Sequence, residues 1–126
     1  MHRYMDLKFQ VECSRDVAIV RCSGRMVRGA ALDELWRRIE QLEPVHVLVL
    51  DVSEVDHLDA GGLGILLLAR RWAMERSAKL KLVNPPVFFR RLLEATHLTP
   101  VFEISSLEEA ICILRSKECP PHYAVA

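Results

Sequence analysis

The sequence has neither an excess of basic residues nor an apolar run long enough to cross a membrane. Its 17 lysines and arginines are balanced by 17 aspartates and glutamates. A nucleic-acid-binding domain normally carries a basic excess on one face, so we expect no direct contact with nucleic acid. The longest apolar stretch, residues 63–69, is far shorter than the ~20 residues of a membrane-spanning helix, and Arg70 and Arg71 follow it. We therefore expect no membrane insertion.

Secretory and metal-binding signals are also missing. Residues 1–10 lack the apolar segment of a signal peptide, which indicates a cytoplasmic protein. No Cys-x-x-Cys pair occurs among the four cysteines, which are Cys13, Cys22, Cys112 and Cys119. A zinc site would have to combine Cys112, Cys119 and His122, a spacing that matches no common structural site. We expect reduced cysteines that act as small hydrophobic side chains, and no metal or other cofactor.

The composition is that of one globular domain. The chain has 126 residues, of which 51% are hydrophobic and 27% charged. This length is enough to enclose a single core, and the balance of apolar and charged residues excludes a disordered chain.

The first part of the chain alternates apolar and polar residues with the period of a strand. Leu7 to Cys13 has this pattern, and Val17 to Cys22 follows after a short turn. We predict an antiparallel hairpin that ends at Gly24. Residues 31–42 then place leucines at helical spacing.

The rest of the chain alternates strands and helices. Val45 to Val52 predicts a strand covered on both faces, followed by an acidic loop over residues 53–59 and an apolar helix that begins near Gly61 and runs to about Ser77. A strand at 79–83, a helix at 87–95, a short strand at 101–104 and a final helix complete the pattern. The helix at 87–95 is predicted to turn four side chains inward: Phe88, Phe89, Leu92 and Leu93.

These elements predict an α/β fold with the order ββαβαβαβα. Strands that alternate with helices form a largely parallel sheet, and the initial hairpin makes the sheet mixed. We expect about five strands covered by about four helices. The final helix opens with a capping box formed by Ser106 and Glu109. Residues 116–126 have no periodicity and are expected to form a flexible C-terminal tail.

Two blocks of sequence resemble the STAS domain family. Residues 45–68 contain an Asp-x-Ser-x-Val segment and an Asp-x-x-Gly-Leu-Gly helix start, and residues 80–104 resemble the family's second block. The matching residues of the first block are Asp51, Ser53, Val55, Asp59, Gly62, Leu63 and Gly64. The resemblance implies one STAS domain over residues 7–115.

The family resemblance implies a bacterial regulator of transcription and signal transduction. The chain resembles the anti-sigma factor antagonists of this family, which act by binding a kinase-like anti-sigma factor and have no catalytic activity. The implied function is therefore protein–protein interaction, and the enzyme motifs of hydrolases, metalloproteases and phosphate-binding loops are absent from the sequence.

One departure from the family pattern concerns phosphorylation. The family has a Ser-Ser pair at the helix start, and the partner kinase phosphorylates the second serine. Ala60 and Gly61 replace this pair, and neither side chain can accept a phosphoryl group. The chain would then be either an antagonist that is always active or a STAS module used for another purpose. Ser53 is the nearest hydroxyl, although a serine in a turn normally bonds its own backbone.

The helix opening is the predicted partner-binding site. Asp59 is expected to cap the helix, and Gly61 and Gly62 either let a partner approach closely or pack against a neighbouring loop. An exposed Leu63 would be a docking contact. The complete set of predicted partner-binding residues is Ser53, His57, Asp59, Ala60, Gly61, Gly62 and Leu63.

Several alternatives stay open at this point. His57 can serve as a pH sensor or as an ordinary hydrogen-bonded loop residue. The carboxylates of Asp51, Asp56 and Asp59 are a sparse ligand set for a hard cation. A different STAS function is the main alternative: a scaffold or transporter subunit, or a sensor of a small anion such as a nucleotide held at the helix N-terminus. Self-association as a homodimer also stays open.

Overall fold

An antiparallel hairpin followed by alternating helices and parallel strands makes up residues 6–105, which the computed structural model describes. In chain order the elements are β1 Lys8–Ser14, β2 Val17–Met26, α1 Ala30–Glu40, β3 Val47–Leu58, α2 Ala60–Glu75, β4 Lys79–Val83, α3 Val87–Ala95 and β5 Glu103–Ser105. A short 3-10 helix, Thr99–Val101, precedes β5.

The five strands form one sheet in the order β1-β2-β3-β4-β5. The β1–β2 pair is antiparallel and the other three pairs are parallel. From β2 to β5 each new parallel strand is added on the same side of the previous one. Right-handed crossover connections then place all the connecting helices on one face of the sheet. In agreement, Leu35 of α1, Leu66 of α2 and Phe89 of α3 belong to one core cluster. A smaller cluster lies on the opposite face and consists of Val17, Val47, Val49 and Val83.

The predicted element order and the mixed, mainly parallel sheet are confirmed within the described residues. The bounds of β4 and α3 match the predicted ranges 79–83 and 87–95 at both ends. The predicted final helix at Ser106 and the predicted tail over 116–126 lie outside the described residues.

Two predictions about the middle of the sheet are wrong. Gly24 does not end β2, which continues to Met26, and residues 53–58 are not a loop but the second half of β3. The two strand ends pair with each other, as in Met26 opposite Leu58, across two shifts of register. Gly24 lies beside the second shift with a φ of 90°, a conformation that glycine adopts without strain. Pairing between these two irregular ends thus extends β2 and β3 beyond the segments in which apolar and polar residues alternate regularly.

The ends of the later elements also need correction. Phe89 and Leu93 are fully buried, as predicted, but Phe88 is 37% exposed. The last strand is Glu103–Ser105 rather than 101–104, because Val101 belongs to the preceding 3-10 helix, which also contains Pro100.

The fold gives two cysteines opposite environments. Cys22 is buried in the core and Cys13 is exposed on β1. Burial, and then the nearby negative charge of Asp51, raise the pKa of the Cys22 thiol to about 12. We expect iodoacetamide at pH 8 to alkylate Cys22 at least about 100-fold more slowly than Cys13, because the reactive thiolate is both scarce and inaccessible. Peptide mass spectrometry of the native protein measures the two rates. Equal rates would contradict the packing of β2.

Candidate functional site

The start of α2 is organised by the carboxylate of Asp59. Asp59 follows β3 directly and is the N-cap residue, with extended backbone angles. Its Oδ1 accepts a hydrogen bond of 3.0 Å from the backbone N–H of Gly62. This bond satisfies one of the N–H groups that a helix leaves without a partner in its first turn. The predicted cap is confirmed.

The same carboxylate also holds the loop between β2 and α1. The backbone N–H of Arg28 donates to Asp59 at 3.1 and 3.3 Å, one distance for each carboxylate oxygen. The backbone N–H of Asp59 in turn donates to the carbonyl oxygen of Met26 at 3.4 Å. One side chain thus joins the end of β2, the following loop and the first turn of α2.

These donors stabilise the ionised form of Asp59. Desolvation alone would raise the pKa of this carboxyl group, but the backbone N–H groups of Gly62, Arg28 and Gly61 and the positive charge of Arg28 outweigh it and lower the pKa below its ordinary value. The ionised cap therefore stabilises the fold above the unfolded pKa of about 3.9, and this contribution is lost as the pH falls through the lower, folded pKa.

We expect Asp59→Ala to lower the free energy of unfolding by about 1 kcal/mol at pH 7, the usual cost of losing a cap. The cost should shrink below about pH 4, where the unfolded carboxyl group becomes protonated. Urea unfolding at several pH values measures both effects. Asp59→Asn is the control, since it keeps a cap without a titrating charge. A cost that does not change with pH would contradict the assigned role of the ionised carboxylate.

The three glycines of this segment have three different environments. A Cβ atom on Gly62 would lie 2.2 Å from the carbonyl oxygen of Met26, so this glycine is required for internal packing. A Cβ atom on Gly61 would lie 3.1 Å from the Cβ atom of Arg28, a tight contact. A Cβ atom on Gly64 would meet no atom of the described residues within 4 Å. Of the two roles left open for these glycines, internal packing is the one that the surroundings of Gly62 support. Its contact with a partner stays a prediction, and the open position is Gly64.

An apolar surface continues along α2 from this point. Leu67 is 39% exposed and Leu68 is 42% exposed, while Leu63 is half-buried against the core. At 100° per residue the five residues of this surface fall within an arc of about 140°. We call this surface the α2 outer face: Ala60, Leu63, Gly64, Leu67 and Leu68. Arg71 and Glu75, joined by an ion pair of 3.5 Å, follow it along the helix.

The other two predicted partner-binding residues lie on β3. His57 is near the end of the strand, two residues before Asp59, and its Nδ1 is 2.9 Å from the carboxylate of Asp56. Ser53 lies six residues before Asp59 along an extended strand, roughly 20 Å away. Its N–H and hydroxyl group donate to Asp51 at 3.0 and 2.7 Å. The structure thus brings together His57, at the end of β3, and residues 59–63, at the start of α2. It leaves Ser53 apart from them.

Residues 6–105 contain neither a metal-ligand cluster nor a membrane-spanning helix. In this part of the chain no three His, Cys, Asp or Glu side chains are arranged to hold a metal ion. Nor does any helix described there combine the length and apolar character that crossing a membrane requires.

The match to a family model identifies the chain. The model describes the STAS domain and matches residues 8–110. This chain belongs to the STAS domain family. The match includes both sequence blocks that carried the resemblance and every strand of the described sheet.

Solved structures support the same fold for this STAS domain. An anti-sigma factor antagonist from Mycobacterium paratuberculosis is 24% identical with a TM-score of 0.73, over 87% of this chain and 95% of that chain. The anti-sigma factor antagonist SpoIIAA in its unphosphorylated form is 23% identical with a TM-score of 0.72, over 86% and 97% of the two chains. The Bacillus cell fate determinant SpoIIAA in the phosphorylated form is 22% identical with a TM-score of 0.70, over 86% and 100%.

Sequence reasoning missed three residues on the outer surface of this STAS domain: Gly64, Leu67 and Leu68. A signal was present, because residues 60–69 contain no polar side chain. A helix that lies on a sheet buries only one side, so the exposed side of these three turns has to be apolar.

Proposed function

We propose that this STAS domain is a non-catalytic regulatory protein of the anti-sigma factor antagonist type. Its partner would be a kinase-like anti-sigma factor in the bacterial cytoplasm. The domain would extend over residues 7–115, with 116–126 as a tail, and the partner would dock on the α2 outer face and on the helix start around Asp59.

The exposed leucines of α2 are the observation that carries the proposal. Leu67 and Leu68 leave about two fifths of their surface exposed, on a helix segment that has no polar side chain before Arg70. An apolar patch of this kind, with charged residues at its border, is typical of a protein-binding surface. Gly64 adds a second argument. Glycine within a helix costs about 1 kcal/mol relative to alanine, and no contact of Gly64 with residues 6–105 accounts for that cost.

A switch by phosphorylation at the usual position would not operate in this protein. Ala60 and Gly61 offer no hydroxyl group, and the space that a side chain at position 61 would enter adjoins the backbone of Arg28. A phosphate at the helix start would add negative charge beside Asp59. Without a phosphate at this position, the charge of the docking surface is not switched by a kinase. This favours an antagonist that is always available to its partner.

The alternative of an anionic ligand at the helix N-terminus is less well supported. The carboxylate of Asp59 already occupies this position and accepts the N–H of Gly62 at 3.0 Å. A nucleotide phosphate would have to displace or approach an ionised carboxylate, and like charges repel at short range. A protein partner with an apolar surface has no such conflict. A scaffold or transporter role would use the same surface with a different partner.

Purification of the tagged full-length chain from its native host tests the proposal. Mass spectrometry of the proteins that co-purify should identify a kinase-like anti-sigma factor. Recovery of transporter subunits or sibling STAS proteins without such a kinase would overturn the antagonist assignment and favour the scaffold alternative.

A further inference from the structure

The first strand of the sheet has an open outer edge. β1 (Lys8–Ser14) is the last strand on its side and pairs only with β2 among the described residues. Lys8, Gln10, Glu12 and Cys13 are exposed, so no other part of residues 6–105 covers them. An edge strand presents a row of backbone N–H and C=O groups that can pair with another strand. Seven residues extend over about 23 Å, which is sufficient for a continuous ladder with a second chain.

The two faces of β1 differ in chemistry. Phe9 and Val11 lie on the helix side of the sheet and are half-buried against the core. Lys8, Gln10 and Glu12 lie on the opposite side, where Glu12 also forms an ion pair with Arg21. A depression of about 260 Å³ adjoins Phe9 on the helix side. It is lined by Phe9, Glu34, Arg37, Arg38 and Gln41. An apolar side chain next to Phe9 would therefore find space there.

We propose that β1 pairs antiparallel with β1 of a second copy of this chain, about a two-fold axis through Gln10. In this register Lys8 lies opposite Glu12 of the second copy. The two-fold axis repeats this pair, so the interface contains two cross-strand ion pairs. Phe9 likewise lies opposite Val11 of the second copy, and this apolar pair also occurs twice. The two copies would form one continuous ten-stranded sheet.

Neighbouring registers are less complementary. An axis through Val11 would place Lys8 opposite Ser14 and Gln10 opposite Glu12. Neither Lys8 nor Glu12 would then face an oppositely charged residue. An axis through Phe9 would place Asp6 opposite Glu12, where two carboxylates repel. Only the axis through Gln10 pairs opposite charges and apolar residues at the same time. The strand is thus complementary to itself, which is why a second copy is the occupant that we assign to this edge.

Charge reversal at the two paired positions tests the proposal by sedimentation velocity of the full-length chain. Lys8→Glu places carboxylates opposite each other in the dimer, and Glu12→Lys does the same with ammonium groups. Each variant alone should dimerise at least about five-fold more weakly than the wild type, and an equimolar mixture should form a heterodimer more strongly than either variant by itself. The Arg21 contact lies within one chain, so its loss in Glu12→Lys is already present in the monomer and does not by itself produce this preference.

Two results would overturn the proposal. One is a wild-type chain that stays monomeric up to about 1 mM, where even small interfaces associate. The other is a mixture of the two variants that shows no preference for the heterodimer.

Disulfide cross-linking tests the register separately. Gln10→Cys should give a disulfide-linked dimer under mild oxidation, because directly opposed residues of antiparallel strands lie within the Cα separation of a disulfide. Cys13 in the same variant is the control: it is also exposed, but its counterpart in the second copy lies six residues further along the strand, about 20 Å away. Mass spectrometry identifies the linked peptides. Cross-linking between two copies of Cys13, without a link between the cysteines at position 10, would exclude the proposed axis.

Discussion

Replacing Gly62 by alanine should destabilise the fold by about 3 kcal/mol, at the upper end of the usual cost of overpacking. The added methyl group would lie 2.2 Å from the carbonyl oxygen of Met26 and 2.5 Å from a methyl carbon of Leu58. The carbonyl belongs to the backbone of β2 and cannot rotate away as a side chain would. Either α2 moves away from the sheet or the ends of β2 and β3 separate. Urea unfolding followed by circular dichroism measures the loss.

Gly64→Ala is the matched control for this prediction. It makes the same chemical change two residues further along the helix, where the new methyl group meets open space. We expect the free energy of unfolding to stay the same or to rise by up to about 1 kcal/mol, because alanine favours the helix more than glycine does. If Gly62→Ala were as stable as the wild type, the close contact between α2 and Met26 would be wrong.

Leu68→Asp should reduce the affinity for the protein partner by at least about 30-fold, as expected when a central apolar contact is lost and a charge is buried without a partner. Leu68 is 42% exposed on the α2 outer face, so the substitution leaves the core intact. The change in folding stability should stay within about 1 kcal/mol. Titration calorimetry with the recovered partner measures the affinity, and urea unfolding checks the fold.

Val87→Asp provides the comparison for the binding experiment. Val87 is 64% exposed at the first position of α3, outside the α2 outer face. The new carboxylate would lie at a helix N-terminus, where negative charge is favourable. We expect wild-type affinity for this variant. A loss of binding in Val87→Asp with unchanged binding in Leu68→Asp would move the docking surface to α3.

The element order could be predicted from the sequence because the spacing at which hydrophobic residues recur distinguishes strands from helices. It failed in the second half of β3, where the two shifts of register against β2 interrupt the alternation. Val55 is buried there while its neighbours Glu54 and Asp56 are exposed, but the acidic side chains led to the prediction of a loop. The extension depends on pairing with the end of β2, which is distant in sequence and has no local signal.

The candidate site was predicted in part for a similar reason. Asp59 as a helix cap follows from local chemistry, since the side chain bonds a backbone group three residues ahead. The roles of the glycines do not follow from local chemistry. The contact that excludes a side chain at Gly62 comes from Met26, 36 residues earlier in the sequence. The exposure of Leu67 and Leu68 depends likewise on which side of α2 faces the sheet.

Hydrogen–deuterium exchange of the full-length chain, with and without its recovered partner, tests the central claim most directly. Amides of the first two turns of α2, from Gly61 to Leu68, should exchange more slowly in the complex, because the partner covers the α2 outer face. The loop at Arg28, which Asp59 holds against the helix start, should be protected as well. Protection confined to β1 or to α3, with α2 unchanged, would contradict the account.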